Sequence, residues 1–248
     1  MTLTQELIEK GYFHWDHSHN DKMSPHINKS LKQVSEWDGR EYVCIGCTQL
    51  YTPDMEKHFH GLKGYTIPEQ KRILAEWVDF LRTETKALKG VHFRTSLPQV
   101  LLEAVCCQEN LETLQIKWGP FSDWSCLENL KNLKYFSSDG FRAKVNDISP
   151  IGKLSELIVL SLGSYKKFTD LTPLANLKKL EQLEYIAGCK IKDLEFLRQM
   201  PNLRDLRLYA KIEKEYTLDE VNSLITSLPN LRDSYGFFPK LKRKIPGG

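Results

Sequence analysis

The stretch LIVLSLGSYKKFTDLTPLANL, residues 157–177, holds the pattern that decides the fold. It opens with three apolar residues at positions one, four and six, here Leu157, Leu160 and Leu162. The same phrase recurs at intervals of 22 to 24 residues, with a last interval of 28. A period of this size indicates a stack of small units that bury their apolar faces against one another. The phrase starts seven times, at Leu88, Leu111, Leu133, Leu157, Leu180, Leu203 and Leu231.

The second part of the repeat is an aspartate followed by apolar residues at steps of three. In the quoted stretch these are Asp170, Leu171, Leu174 and Leu177. Apolar residues three apart favour a short 3₁₀ or α turn with one apolar side, and an aspartate at its head can accept a backbone N–H group. Pro173 suits the first turn, where a missing N–H is tolerated. The matching aspartates in the other copies are Asp123, Asp147 and Asp193.

The phrase itself predicts a short strand, because alternate residues of a strand point to opposite faces. With this strand and turn at a steady period, residues 88–236 resemble the leucine-rich repeat family in its short, internalin-like form. The resemblance implies an α/β solenoid with a parallel concave sheet, short helical turns on the convex side and helical caps. The chain departs from the family where the usual Asn after the strand is missing, and where Ser138 and Tyr185 occupy the third inward position.

The chain outside the repeats is expected to cap the stack, since a solenoid needs terminal units that cover its core. Residues 1–65 are interpreted as an N-terminal cap or accessory region with a short helix from Thr4 and a β-hairpin. The hairpin is predicted from two strand-like runs, 32–37 and 40–47, on either side of Asp38-Gly39. The other parts are a capping helix at 66–87, the repeats at 88–216 and a C-terminal cap with a basic tail at 217–248.

Three helix starts are predicted from capping boxes, in which a Ser or Thr and a Glu or Gln three residues later bond to each other's backbone. The segment 66–69 (TIPE) starts the capping helix, and 217–220 (TLDE) starts a helix in the C-terminal cap. The segment 96–99 (SLPQ) predicts that a helix replaces the turn of the first repeat. Residues expected to close the core at the C-terminal end are Phe237, Phe238 and Leu241.

Composition and charge argue against several classes of protein. A formal net charge of +3 over 248 residues is too small to predict general affinity for nucleic acid. No run approaches the roughly 18 apolar residues that span a bilayer, and the first residues lack a signal-peptide pattern. We therefore expect a cytoplasmic protein that binds neither nucleic acid nor membrane, with its cysteines as free thiols. The basic residues 240–244 are interpreted as part of a solvated terminus.

Two clusters are candidates for metal chemistry. Cys44 and Cys47 precede His58 and His60, and thiolate and imidazole groups bind zinc. Only one residue separates the histidines, whereas zinc-finger histidines are usually about three to five residues apart. Cysteines three apart on a strand also point to opposite faces, so structural cysteines are favoured over a zinc site. The other cluster, residues 14–21 (HWDHSHND), is interpreted as a solvated loop.

The strand residues that alternate with the inward ones are predicted to form an exposed binding face. Apolar Val159 and Ile186 have no role in a solvated strand, which favours an interface. Glu184 and Arg207 lie on neighbouring strands and are also placed to pair with each other. We assign no catalytic residue, metal or cofactor. The predicted partner-binding residues are Lys117, Trp118, Tyr135, Val159, Glu184, Ile186, Arg207 and Tyr209.

The sequence favours a non-catalytic recognition module that binds another protein through its concave face, as the resemblance to leucine-rich repeats implies. A narrower hypothesis is that the chain neutralises a toxin, as an immunity protein does, or inhibits an enzyme. A hypothesis from another class places a zinc-binding or metal-dependent module in residues 1–65.

Overall fold

The centre of the molecule is a sheet of eight parallel strands that follow one another in chain order. The computed structural model describes residues 30–48, 61–83 and 86–236. A repeat stack produces this order, because each unit adds its strand beside the previous one. The strands are β1 (Tyr42–Ile45), β2 (Gly90–Ser96), β3 (Thr113–Trp118), β4 (Tyr135–Asp139), β5 (Val159–Tyr165), β6 (Gln182–Ile191), β7 (Asp205–Ile212) and β8 (Asp233–Gly236).

The apolar residues of the repeated phrase form the core. Leu160 on β5 pairs in register with Phe136 on β4 and Leu183 on β6, and all three side chains are fully buried. Each buried Leu contributes roughly 1.5 to 3 kcal/mol to stability. The leucines that start the seven copies are at most 7% exposed. The structure therefore confirms the predicted solenoid with a parallel sheet.

Short 3₁₀ helices follow strands β3 to β6 and direct apolar side chains into the same core. Each of the four predicted aspartates accepts the backbone N–H of the residue two positions later. The N–O distances are 2.8 Å at Asp123 and Asp147, 2.9 Å at Asp170 and 3.0 Å at Asp193. The predicted role of these aspartates is confirmed. The 3₁₀ helices span Ser125–Asn129, Ile151–Lys153, Thr172–Asn176 and Glu195–Gln199.

Hydrogen bonds within the core accommodate the two unusual inward residues. The Tyr185 hydroxyl donates to the carbonyl oxygen of Phe168 at 2.8 Å, and the hydroxyls of Ser138 and Tyr165 lie 2.7 Å apart. Burial raises the pKa of Tyr165 and that of Tyr185 well above the usual value for a tyrosine, so both hydroxyls stay protonated. The hydroxyl groups of Ser138 and Tyr185, the two residues that depart from the family pattern, are therefore both hydrogen-bonded.

A helix packs at the N-terminal end of the stack. Helix α1 (Ile67–Thr83) buries Ile73, Trp77 and Leu81, and the indole N–H of Trp77 donates to the carbonyl oxygen of Lys32 at 2.8 Å. At its start, the Glu69 carboxylate accepts the N–H of Thr66 at 2.6 Å, which is one arm of the predicted capping box. The contact of Trp77 with Lys32 joins this helix to the chain that precedes β1.

Two further α-helices lie in the described part of the chain, α2 (Gln99–Val105) and α3 (Leu218–Thr226). The predicted capping box of α3 is confirmed in both directions. Thr217 Oγ1 accepts the N–H of Glu220 at 3.2 Å, and the Glu220 carboxylate accepts the N–H of Thr217 at 2.9 Å.

The predicted hairpin between residues 32 and 47 is wrong. Residues Val34–Glu36 form a 3₁₀ helix, and β1 pairs in parallel with β2 instead of antiparallel with its own neighbour. The two-residue hairpin turn predicted at Asp38-Gly39 does not form either, because such a turn needs positive φ at both residues and only Gly39, at +88°, has it; the Asp38 carboxylate instead accepts the N–H of Arg40 at 3.2 Å. Parallel pairing prevails because it places the apolar side chains of β1 in the common core.

The predicted capping box at 96–99 is also wrong, although a helix follows it. Ser96 is the last residue of β2, so Pro98 is the residue before the helix, and its ring carries no hydrogen-bond acceptor. Gln99 instead accepts the N–H groups of Ser122 and Asp123, at 2.9 and 3.1 Å. This glutamine ties α2 to the next repeat.

The last copy of the phrase still forms a strand, because β8 pairs in parallel with β7. Predictions for residues 1–29, for Phe237, Phe238 and Leu241, and for the basic tail lie outside the described residues. Among the helices that the structure does describe, none has the length and apolarity needed to cross a membrane.

Candidate partner-binding face

The candidate site is the face of the sheet opposite the core, here called the outer face. Its side chains form three rows across the strands, because residues in register on neighbouring strands point the same way. The first row contains Gly90, Thr113, Tyr135, Val159, Gln182 and Asp205. The second contains His92, Gln115, Ser137, Ser161, Glu184 and Arg207. The third contains Asp139, Gly163, Ile186 and Tyr209 in register, and Arg94 and Lys117 stand at the corresponding positions of the repeated phrase on β2 and β3.

The first row is buried, so the predicted exposure of two contact residues is wrong. Tyr135 is 2% exposed and Val159 is 1% exposed. Their in-register neighbours, Thr113 and Gln182, are buried as well. The strand pattern correctly places these side chains on the outer face, but it does not indicate how closely the neighbouring side chains surround them. Neither Tyr135 nor Val159 presents a surface to a partner in this conformation.

Trp118, at the end of β3, is likewise buried at 6% exposure. The ammonium of the neighbouring Lys117 lies 4.7 Å from the centre of its ring. Burial lowers the pKa of Lys117 to about 8, and the charge of Arg94 lowers it further, while Asp139 opposes the shift. Lys117 is half-buried, so of these two predicted contact residues only the lysine reaches the surface.

A polar network crosses the second row between β5 and β7. The Ser161 hydroxyl donates to the Glu184 carboxylate at 2.7 Å, and that carboxylate lies 3.6 Å from the Arg207 guanidinium. Arg207 also donates to Asp205 at 3.3 Å. The predicted pairing of Glu184 with Arg207 is confirmed. Glu184 and Arg207 are half-buried, and they place one negative and one positive charge beside the exposed part of the outer face.

The exposed part of the outer face lies in the third row on β6 and β7. Ile186 is 43% exposed and Tyr209 is 42% exposed, and the two residues are in register on adjacent strands. Beyond them both strands continue, and Lys190 pairs in register with Lys211. Both lysines are exposed. The repeated phrase ends before these lysines and so does not indicate them, although alternation with buried Ile191 and Ala210 shows which way they point.

The candidate zinc cysteines lie on opposite faces of the sheet. Cys47 packs in the apolar core, whereas Cys44 lies on the outer face with its sulfur 3.8 Å from Nδ1 of His92. Burial raises the pKa of each thiol to about 12, so neither forms a thiolate at neutral pH. The other two proposed ligands, His58 and His60, lie outside the described residues. Within the described ranges, no three His, Cys, Asp or Glu residues cluster as a metal site requires.

A groove of about 580 Å³ lies among the 3₁₀ turns, lined in part by Asp147, Ser149, Asp170 and Thr172. Its aspartates already serve the fold as acceptors of turn N–H groups. Hydrogen bonds from Thr172 and from Lys192 lower the pKa of Asp170 to about 2. These carboxylates are therefore structural, and the outer face is the stronger candidate for recognition.

Comparisons with known proteins return distant structural likenesses. No protein-family model matches the sequence, and no curated protein matches it significantly. An internalin (inlF) from Listeria monocytogenes is 21% identical over 60% of this chain and 48% of that one, with a TM-score of 0.44. The leucine-rich repeat protein LIC12759 of Leptospira interrogans is 20% identical over 58% of this chain and 36% of that one, also at 0.44. An internalin C2 from Listeria monocytogenes is 18% identical over 69% of this chain and 88% of that one, at 0.38.

This chain spans about half the length of the first of these proteins and about a third of the second. Because the identities and TM-scores are low, the fold assignment depends on the geometry of the chain itself. A strand phrase that recurs seven times, a parallel sheet in chain order and aspartate-capped turns between the strands make this chain a leucine-rich repeat solenoid.

Proposed function

We propose that this protein is a non-catalytic module that recognises another protein through the outer face of its sheet. The observation that carries the proposal is the exposed pair of Ile186 and Tyr209 on adjacent strands. A solvated strand gains nothing from apolar side chains at these positions, whereas partly exposed aromatic and aliphatic groups anchor protein interfaces. The polar Glu184 and Arg207 beside them provide orientation and specificity.

The dimensions of the face support the proposal. Eight strands about 4.8 Å apart extend the sheet over about 34 Å, enough for a standard interface of roughly 800 Å² on each partner. The proposed contact set is the part of the predicted set that reaches the surface. It consists of Lys117, Glu184, Ile186, Arg207 and Tyr209.

The test is capture of partners from the native cells with the tagged protein and with two double variants. Ile186→Ala with Tyr209→Ala removes the exposed pair, whereas Val100→Ala with Leu218→Ala removes two other exposed apolar side chains, on helices α2 and α3. We expect one stoichiometric partner that the first variant loses and the second retains. Mass spectrometry identifies the partner, and far-UV circular dichroism verifies that both variants fold.

A partner that binds all three proteins equally contradicts the proposed face. The absence of any stoichiometric partner contradicts the recognition function itself. Where the captured partner is an enzyme or a toxin, its activity with and without this protein tests the inhibitor hypothesis, since inhibition requires loss of activity at equimolar ratio.

A further inference from the structure

One cluster on the outer face combines apolar and basic side chains. Lys190 and Lys211 are directly opposed on β6 and β7, four and two residues beyond the exposed Ile186 and Tyr209. The side chain of Lys166 also borders this surface, because its Cγ lies 3.7 Å from the position of a Cβ built on Gly188. All three lysines are exposed. We call Lys166, Ile186, Lys190, Tyr209 and Lys211 the basic–apolar patch.

The lysines of this patch differ from the lysines that stabilise the solenoid. Along the stack, lysines form ion pairs with carboxylates about one repeat earlier, as in Lys134 with Glu112 at 2.8 Å and Lys179 with Glu156 at 2.6 Å. The same arrangement recurs at Lys153 with Glu128, Lys192 with Asp170 and Lys214 with Glu195. Within the described part of the chain, no carboxylate lies within 4.0 Å of the ammonium groups of Lys166, Lys190 or Lys211.

The arrangement of Lys190 and Lys211 is unfavourable for the isolated fold. Like charges directly opposite each other on adjacent strands disfavour the pairing of those strands. A carboxylate between the two ammonium groups removes the repulsion and forms charge-assisted hydrogen bonds. The adjacent Ile186 and Tyr209 provide apolar area for a neighbouring side chain of the same ligand.

We propose that the basic–apolar patch binds an acidic protein segment that carries an apolar side chain between or beside its carboxylates. This inference depends on the proposed function and specifies the chemistry of the partner. A protein segment fits better than nucleic acid, because the three lysines of the patch lie together at one end of the outer face and form no continuous basic stripe that could follow a phosphate backbone. A nucleic-acid ligand also has no aliphatic group for Ile186.

The experiment measures binding to defined synthetic peptides. The probes are peptides about ten residues long with one central Leu or Phe and none, two or four flanking glutamates, and a matched set with lysine in place of glutamate. Fluorescence anisotropy gives the affinity of each peptide for the full chain. We expect affinity to rise with the number of glutamates and to fall as sodium chloride is added.

Two charge variants distinguish the patch from a general charge effect. Lys190→Glu with Lys211→Glu reverses the patch, and Lys71→Glu with Lys131→Glu makes the same change in net charge at exposed sites on α1 and on a loop. The first variant is expected to lose affinity for the four-glutamate peptide by about tenfold or more and to gain it for the lysine peptide, whereas the second retains the wild-type preference. A gain of binding is not a result that misfolding produces.

Equal loss in both charge variants, or no preference of the wild type for acidic peptides, overturns the inference. Binding of a single-stranded oligonucleotide of about 20 nucleotides that only the patch variant loses, without acidic-peptide binding, replaces it with a nucleic-acid site. These results are separable from the proposed function. A partner that is lost in the Ile186→Ala and Tyr209→Ala variant, together with no preference for acidic peptides, retains the recognition function and rejects only the acidic partner.

Discussion

Replacement of Leu160 by alanine tests the register of the repeat at its centre. The side chain is fully buried between Phe136 and Leu183. The removal of three carbons loses about 2.4 kcal/mol of transfer free energy at about 0.8 kcal/mol each. The neighbours are fixed by their own strands, so a cavity of about 40 to 80 Å³ adds about 1 to 2 kcal/mol. We expect the free energy of unfolding to fall by about 3.5 to 4.5 kcal/mol.

The measurement is urea denaturation followed by far-UV circular dichroism. Ser161→Ala is the matched control, because Ser161 is the next residue of the same strand and faces the opposite side. It loses the hydrogen bond to Glu184 and is expected to cost only about 1 kcal/mol.

A second comparison uses the shared environment of Leu160 and Leu183. Because the two side chains are in-register neighbours, their cavities are expected to merge, and the double alanine variant should deviate from the sum of the single effects by about 0.5 kcal/mol or more. A loss below about 1 kcal/mol for Leu160→Ala would refute the reasoning, since it would mean that this residue does not face the core.

Three further predictions concern single side chains. Thr113→Val removes a buried hydroxyl that has no hydrogen-bond partner among the described residues, and it is expected to raise the urea midpoint by the equivalent of about 1 kcal/mol; a lower midpoint contradicts it. Asp170→Asn is expected to destabilise the protein near pH 7. The pKa of Asp170 is lowered to about 2 in the folded protein, against about 4 in the unfolded chain. The wild type is therefore more stable than the variant above about pH 4, and this difference in the free energy of unfolding disappears as the pH falls toward about 2. Urea titrations in which the difference stays constant over this pH range contradict the prediction. Thr217→Ala removes the side-chain arm of the α3 capping box, in which the hydroxyl accepts the N–H of Glu220, and leaves the backbone N–H that donates to the Glu220 carboxylate; it is expected to cost about 1 kcal/mol, and an unchanged midpoint contradicts it.

Local rules predicted the fold well wherever strand and turn lie within one repeat. The Asp170 carboxylate accepts the N–H of Thr172, two residues along the chain, so the signal for this turn is local. Predictions failed where a distant segment competes with the local signal. At Asp38-Gly39 only the glycine adopts the left-handed backbone of a hairpin turn, and β1 pairs with β2, because the parallel edge offers a core that a hairpin lacks. Ser96 has a side chain suited to a helix cap. It is the last residue of strand β2, however, and lies two residues before Pro98, which occupies the cap position of helix α2.

The sequence predicted which face of the sheet each candidate side chain points to, but not whether that side chain is exposed to solvent. Strand alternation places Val159 and Ile186 on the same face, yet one is 1% exposed and the other 43%. Alternation depends only on the backbone of a single strand, whereas burial depends on every neighbour that packs around the side chain. For the same reason, the facing lysines at 190 and 211 become apparent only when the register of β6 and β7 is known.

The sequence by itself determined the stack of repeats, the inward residues of each strand and the aspartate-capped turns. Each of these features follows from interactions within about one period of the repeat, where the order of residues dictates the geometry. Only the tertiary structure decided how β1 pairs, which outer-face side chains reach solvent and which charges meet across strands. These properties arise between residues at least 21 positions apart in the chain, which the stacking of repeats brings to within about 5 Å.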